Sequence, residues 1–230
     1  MGHEGIELST PSAIDRQSGS STMPQAEPIV YVVDDDISVR ESLELMIRCE
    51  GWKSQTFASA QEFLSRASVA APGCLILDVN LPDLNGLDLQ KQISADRTGM
   101  PIIFITGYGD VPMSVRAMKA GAAEFLTKPF GDNVMLDAMR TAIEKSVAEF
   151  AHRKEMQALR DRYALLSSRE REVMALVVSG LMNKQVGGEL GISEITVKAH
   201  RGNVMRKMDA ASLADLVTMA AALQITRPDI

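Results

Sequence analysis

Three aspartates, a threonine and a lysine stand where the chain's short apolar runs stop. Ile29–Val33 runs into Asp34-Asp35-Asp36, and Leu75-Ile76-Leu77 stops at Asp78. Pro101–Ile105 ends in Thr106-Gly107, and Ala122–Leu126 in Thr127-Lys128-Pro129. Carboxylates gathered within a few ångströms repel and cannot all stay ionised unaided. A hard divalent cation is the usual remedy. Mg²⁺ accepts one or two carboxylates together with waters and phosphate oxygens. A carboxylate nucleophile, such a cation, an ammonium and a hydroxyl donor are the groups that phosphoryl transfer uses. Taken singly, each residue has a plainer reading: Asp78 as a helix cap, Thr106 as a turn residue, Lys128 as a surface cation. Asp36 reads as a solvated first-turn charge. The chemistry requires that the four strand ends share one edge of one sheet.

The elements between them meet that requirement. Apolar runs bounded by turn residues read as buried strands, here Ile29–Val33, Trp52–Phe57, the run ending at Asp78, Pro101–Ile105 and Ala122–Leu126. Helical spacing comes after each one. Ser38 offers a cap for a helix with Val39, Leu43, Met46 and Ile47 on its apolar side, closed by Gly51. Helices are also expected over Ser59–Arg66, Gly86–Asp96, Val111–Ala120 and from Asn133 onward. Five βα repeats predict a doubly wound parallel sheet with helices on both faces. Right-handed crossovers bring the strand ends to one edge, where ligands bind in open sheets.

Composition sets wider bounds. The 230 residues are 46% hydrophobic and 23% charged, ordinary for a globular chain of one or two domains. No apolar run approaches the roughly 20 residues a membrane span needs, and the N-terminus lacks a signal-peptide pattern, so a cytoplasmic location is expected. The segment 1–28 is rich in Ser, Gly, Pro, Gln and Glu and reads as a disordered tail. Cys49 and Cys74 lie in apolar surroundings with no metal-ligand spacing and read as reduced core or near-core residues. Charge is uneven: Ile29–Phe150 holds 17 acidic and 11 basic residues, Leu165–Ala210 holds 5 acidic and 7 basic. That contrast hints at nucleic acid near the C-terminus.

From Leu136 to Leu166 no Gly or Pro occurs, and an apolar stripe through Met139, Ile143, Val147, Phe150, Met156, Leu159 and Tyr163 predicts one long helix. Its periodicity fits either packing on its own domains or a coiled coil with a second chain. Beyond it lies an all-helical unit. Ser167-Ser168-Arg169-Glu170 fits a capping box. Asn183–Leu190, the turn at Gly191–Ser193 and a longer helix over Glu194–Met208 make a helix-turn-helix pattern. The longer helix carries Lys198, His200, Arg201, Asn203, Arg206 and Lys207, and its apolar positions Ile195, Val197, Val204, Met205 and Met208 are expected to face the core. Gly187-Gly188 costs about 1 kcal/mol per glycine relative to Ala, and close approach to a neighbouring helix would explain it.

The set Asp34-Asp35, Asp78 with Pro82, Thr106-Gly107 and Lys128-Pro129 resembles the receiver domain of two-component response regulators over roughly Ile29–Val147. The resemblance implies a flavodoxin-like fold with Asp78 as phosphoacceptor. It implies Mg²⁺ (or Mn²⁺) held by Asp35 directly, by Asp34 mainly through water, by Asp78 and by the backbone carbonyl of Asn80. Thr106 and Phe125 would be the switch pair and Lys128 a phosphoryl contact. Haloacid-dehalogenase-type phosphatases, which also form aspartyl phosphates, carry Asp-x-Asp where this chain has Asp78-Val79-Asn80.

Leu166–Val173, Asn183–Val186 and Ile192–His200 closely resemble the LuxR-type DNA-binding domain of the NarL/FixJ response-regulator class, over Leu165–Ile225. By that resemblance Glu194–Met208 is the recognition helix and Ser212–Leu223 carries a dimer contact. Lys198, Ala199 and Gly202 occupy base-contacting positions, and Gly202 stands where some members have a basic residue. The DNA-binding set expected is Lys184, Thr196, Lys198, Ala199, His200, Arg201, Asn203 and Lys207. The organisation expected is a tail (1–28), a receiver (29–147), a helical linker (148–164) and a four-helix helix-turn-helix domain (165–230). The function implied is a transcriptional regulator that takes phosphoryl from a sensor histidine kinase, dimerises and binds double-stranded promoter DNA. RNA polymerase is a further partner the resemblance allows. No enzymatic activity is expected beyond Mg²⁺-dependent self-phosphorylation from a donor and autodephosphorylation. The rival reading is a DNA-binding regulator whose unphosphorylated receiver only dimerises.

Overall fold

The computed structural model describes residues 27–65, 71–96 and 99–225. The expected tail lies almost wholly outside them, as does Arg66. Five strands alternate with helices: β1 (Ile29–Val33), α1 (Ile37–Cys49), β2 (Lys53–Phe57), α2 (Ala60–Ser65), β3 (Gly73–Asp78), α3 (Gly86–Asp96), β4 (Ile102–Thr106), α4 (Val111–Lys119) and β5 (Glu124–Thr127). The pairings among these five strands are parallel, in the order β2-β1-β3-β4-β5. The order reverses between β1 and β3, which opens a crevice beyond their C-terminal ends.

Every residue of β1, β3 and β4 is buried, because helices cover both faces and neither face needs polar residues. The pleat sends alternate side chains to opposite faces. Tyr31, Leu75, Leu77 and Phe104 meet Phe63, Leu89 and Ile93 on one side. Val30, Val32, Ile76, Ile103 and Ile105 meet Leu43, Ile47, Met135, Met139 and Ile143 on the other. At the start of β3 a Cβ on Gly73 would overlap the Ile29 carbonyl, so only glycine lets β3 lie this close to β1. The Gly73 N–H donates to the buried Ser146 hydroxyl at 2.9 Å.

Two expectations about α1 need correction. Its cap is Asp36, whose carboxylate accepts from the Ser38 N–H at 2.8 Å, so Ser38 already lies inside the first turn. Cys49 is exposed at the end of α1, whereas Cys74 is buried in β3. Cys49 falls between the inward positions of a helix whose buried residues are Leu43 and Ile47.

Helix α5 (Asp132–Ala164) runs unbroken for 33 residues. Its first half packs on the sheet. Leu159, Met156 and Tyr163, near its end, join the core of the C-terminal unit with Leu166, Met174, Val204, Met208 and Leu216. The helix expected to run on from the first domain as a linker is thus continuous, and residues of its last turns also contribute to the core of the C-terminal unit. That unit comprises α6 (Ser168–Val178), α7 (Asn183–Leu190), α8 (Glu194–Met208) and α9 (Leu213–Ala222). The capping box is present: the Ser167 hydroxyl accepts from the Glu170 N–H at 3.3 Å, and the Ser167 N–H donates to Glu170 Oε2 at 2.8 Å. Gly191 ends α7 in the left-handed conformation, φ 63°, and Ser193 caps α8. Of the glycine pair in α7, only Gly187 has a packing reason, since a Cβ there would sit 2.8 Å from the Ile192 carbonyl oxygen; Gly188 faces open space. Among the described residues no helix is long and apolar enough to cross a membrane.

Candidate functional site: an acidic strand-end pocket and a helix-turn-helix face

Strand register assembles the pocket. Val33 lies beside Leu77, Asp78 beside Ile105 and Thr106 beside Thr127. The residues after β1, at the ends of β3 and β4, and after β5 thus emerge together. Asp34 is fully buried, Asp78 and Thr106 nearly or wholly so, and Asp35 is exposed. One carboxylate oxygen from each of Asp34, Asp35 and Asp78 falls within 4.8 Å of the others.

Lys128 sets the electrostatics. Its ammonium donates to Asp34 Oδ2 at 2.6 Å and to Asp78 Oδ2 at 2.7 Å. Burial alone would favour the neutral amine, but the hydrogen bonds and charges of the two aspartates outweigh it and raise the Lys128 pKa. Burial raises the pKa of Asp34, and the Asp78 charge adds to that; hydrogen bonds from Lys128 and the Asp36 N–H offset only part of it. Three carboxylates facing one ammonium leave an excess of negative charge open to solvent at Asp35. Such a set of hard oxygen donors fits a divalent cation.

The other oxygen of Asp78, Oδ1, accepts from the Asn80 N–H at 2.9 Å. The Asn80 side-chain amide donates to Thr106 Oγ1 at 3.1 Å, and the Tyr108 N–H donates to the same oxygen at 3.2 Å. Phe125 is half-buried against Phe104, ring centroids 6.3 Å apart. Between Thr106 and Phe125 sits Gly109, where a Cβ would lie 3.1 Å from each side chain and 2.9 Å from the Thr127 methyl. In sequence Gly109 gives no sign of this role, because a glycine before a capping Asp110 reads as an ordinary turn. Arg40 likewise carries no sequence signal of its role: its guanidinium donates to the Asp34 carbonyl at 2.6 Å and braces the acidic turn.

The second candidate site is the outer face of α8. Val197, Val204 and Met208 are buried; Glu194, Ile195, Lys198, Ala199, Gly202, Asn203 and Arg206 are exposed or partly so. Ile195, expected in the core, is 80% exposed. It sits two residues before Val197, on the opposite side of the helix. Of the residues expected to meet DNA, Lys184, Lys198, Ala199 and Asn203 are exposed and His200 is half-buried. The Lys198 ammonium lies 3.2 Å from Glu194. Three others have partners within the chain. The Thr196 hydroxyl pairs with Ser193 at 2.8 Å, and Arg201 donates to Asn183 Oδ1 at 3.2 Å. Lys207 donates to Glu170 Oε2 at 2.6 Å and to the Leu165 carbonyl at 3.1 Å. Its ammonium thus ties α8 to the start of α6.

A five-stranded parallel sheet with an acidic strand-end pocket, followed by a helix-turn-helix unit, defines a receiver joined to a DNA-binding domain. Residues 30–140 match the response regulator receiver domain family, and residues 164–220 match the bacterial regulatory proteins of the luxR family. The chain belongs to the response regulators that carry a LuxR-type DNA-binding domain, and is a transcriptional regulator. It is 48% identical to nodulation protein W of Bradyrhizobium diazoefficiens over 211 residues, 92% of this chain and 93% of that protein. It is 44% identical to the transcriptional regulatory protein FixJ of Rhizobium meliloti, over 84% of this chain and 95% of that one. Among solved structures, the response regulator StyR superposes with a TM-score of 0.79 at 46% identity, covering 85% of this chain and 99% of StyR.

Proposed function

We propose that the protein is a phosphorylation-dependent regulator in which Asp78 takes a phosphoryl group from a sensor histidine kinase, and that the modified receiver promotes dimerisation and binding to promoter DNA. The observation that carries this reading is the Lys128 ammonium held between Asp34 and Asp78 beside the open carboxylate of Asp35. Asp34, Asp35, Asp78 and the Asn80 carbonyl would hold Mg²⁺ or Mn²⁺. When bound, the cation would neutralise charge on the transferring phosphoryl oxygens.

An Asp78 carboxylate oxygen attacks the phosphorus of the donor. The new P–O bond forms as the bond to the donor's histidine nitrogen breaks, and the leaving nitrogen keeps the electron pair. Phosphoryl oxygen then competes for the Lys128 ammonium, loosening its bond to Asp78. Thr106, whose oxygen already accepts from Asn80 and Tyr108, keeps its own proton to donate. Drawing Thr106 toward the phosphoryl group vacates space next to Phe125, and the ring turns inward. This is a population shift driven by contacts that exist only with the phosphoryl group in place. The chain is otherwise no enzyme. The division into a receiver (29–147), a linker (148–164) and a DNA-binding domain (165–230), and the cytoplasmic location, belong to the same proposal. Lys184, Thr196, Lys198, Ala199, His200, Arg201, Asn203 and Lys207 would meet DNA; Lys184, Lys198, Ala199 and Asn203 are the exposed members of that set.

The test is incubation of the full chain with Mg²⁺ and a small acyl phosphate, followed by intact-mass analysis and DNA footprinting. Wild type is expected to gain one phosphoryl group and a stronger footprint. Asp78→Ala is expected to gain neither. Uptake by Asp78→Ala equal to wild type overturns the assignment, and a footprint indifferent to the donor favours a receiver that only dimerises.

A further inference from the structure

We propose that Ile195 reads the 5-methyl group of a thymine in the major groove, as a specificity-determining residue that carries neither charge nor hydrogen-bonding group. The inference rests on the reading of α8 as the recognition helix. Ile195 is 80% exposed, among the largest apolar exposures in the described residues. It lies on the first turn of α8, the end of a recognition helix that approaches base edges. Lys198 and Ala199, three and four residues on, are exposed on the same side, and Gly202, a further turn along, faces open space. The core-facing residues Val197, Val204 and Met208 lie on another side. Neither core cluster of the C-terminal unit includes Ile195.

An exposed isoleucine here has no internal benefit. β-Branched residues are weaker helix formers than Ala or the unbranched polar residues that usually fill exposed positions. The backbone beneath it is well held: the Thr196 N–H donates to the Ser193 hydroxyl at 3.1 Å, and that hydroxyl also pairs with Thr196 Oγ1. Restricted χ1 freedom adds to this rigidity, so the methyl groups are presented in few positions. An aliphatic side chain can offer a base pair only van der Waals contact and exclusion of water. On the major-groove edge the apolar partner is the thymine C5-methyl; the remaining groups are hydrogen-bond donors and acceptors.

The experiment uses full-length protein treated with a small phosphodonor. Binding sites are selected from a randomised duplex library with wild type, Ile195→Ala and Ile195→Val. Affinities are then measured on the wild-type site with each thymine replaced singly by deoxyuridine, which removes only the methyl group. Wild type is expected to lose about fourfold in affinity at one thymine of each half-site, the worth of one buried methyl. Ile195→Ala should be blind to that replacement and relaxed at that position in selection. Ile195→Val, which keeps a branched aliphatic surface, should retain the wild-type preference. Equal uracil penalties in wild type and Ile195→Ala overturn the proposal while leaving DNA binding intact. Failure of wild type to select any site overturns the DNA-binding reading, and this inference with it.

Discussion

The Lys207 ammonium lies 2.6 Å from Glu170 Oε2, although the two residues are 37 positions apart. Glu170 is almost fully buried and completes the capping box of α6; Lys207 belongs to the last turn of α8 and also meets the carbonyl of Leu165, at the end of α5. One ion pair therefore joins the end of the long helix, the first turn of the DNA-binding unit and the recognition helix.

Replacing Lys207 by Met should destabilise the C-terminal unit by about 2 kcal/mol, the scale of a lost hydrogen bond to a charged group. Urea unfolding measures this directly. The Lys207 hydrogen bond, followed by that from the Ser167 N–H, holds the Glu170 carboxyl down to about 2 from its ordinary 4.5. The folded value lies below the unfolded one, so the stabilisation is complete above about pH 4.5 and disappears as pH falls toward 2. In Lys207→Met the part of this acid dependence due to the pair should be missing.

The glycine pair in α7 should respond in opposite directions. Gly188→Ala fills open space on a helix and is expected to stabilise by up to about 1 kcal/mol. Gly187→Ala drives a methyl into the Ile192 carbonyl in the turn and should destabilise by about 2 kcal/mol. Thermal unfolding of the two variants beside wild type distinguishes them, and equal shifts would contradict the packing described for Gly187.

Divalent cation should stabilise the receiver through Asp35. At a Mg²⁺ concentration ten times the dissociation constant, linkage gives about 1.4 kcal/mol. A melting-temperature titration of wild type should show this increment, and Asp35→Ala should lose it. Asp35 is exposed, so its removal leaves the Lys128 contacts to Asp34 and Asp78 in place.

The two thiols should differ in reactivity. Burial pushes the Cys74 thiol up to about 12, and no reagent reaches it inside β3. Cys49 is exposed. A disulfide reagent should label one thiol in the folded protein and both in denaturant.

Much of this protein was settled by local pattern. Strand runs, helical spacing and the punctuation at Gly51, Gly191 and Ser193 act over a few residues, so the five βα repeats and the helix-turn-helix were readable without coordinates. The strand-end residues Asp34, Asp78, Thr106 and Lys128 were readable because parallel topology sends every such end to one edge. Asp36 in place of Ser38 as the α1 cap shows where that reading loses resolution, since two nearby candidates can cap the same helix.

Packing set the features that chain order left open. Whether Cys49 or Ile195 turns inward depends on where neighbouring helices lie against α1 and α8. Which carboxylates share the Lys128 ammonium depends on strand register, and the pairing of Lys207 with Glu170 could not be read from either residue's surroundings in sequence. Side chains far apart in the chain meet only through the geometry of the whole fold. Local periodicity therefore names the elements and the chemistry they carry, while the partners of each charged group are decided by tertiary structure.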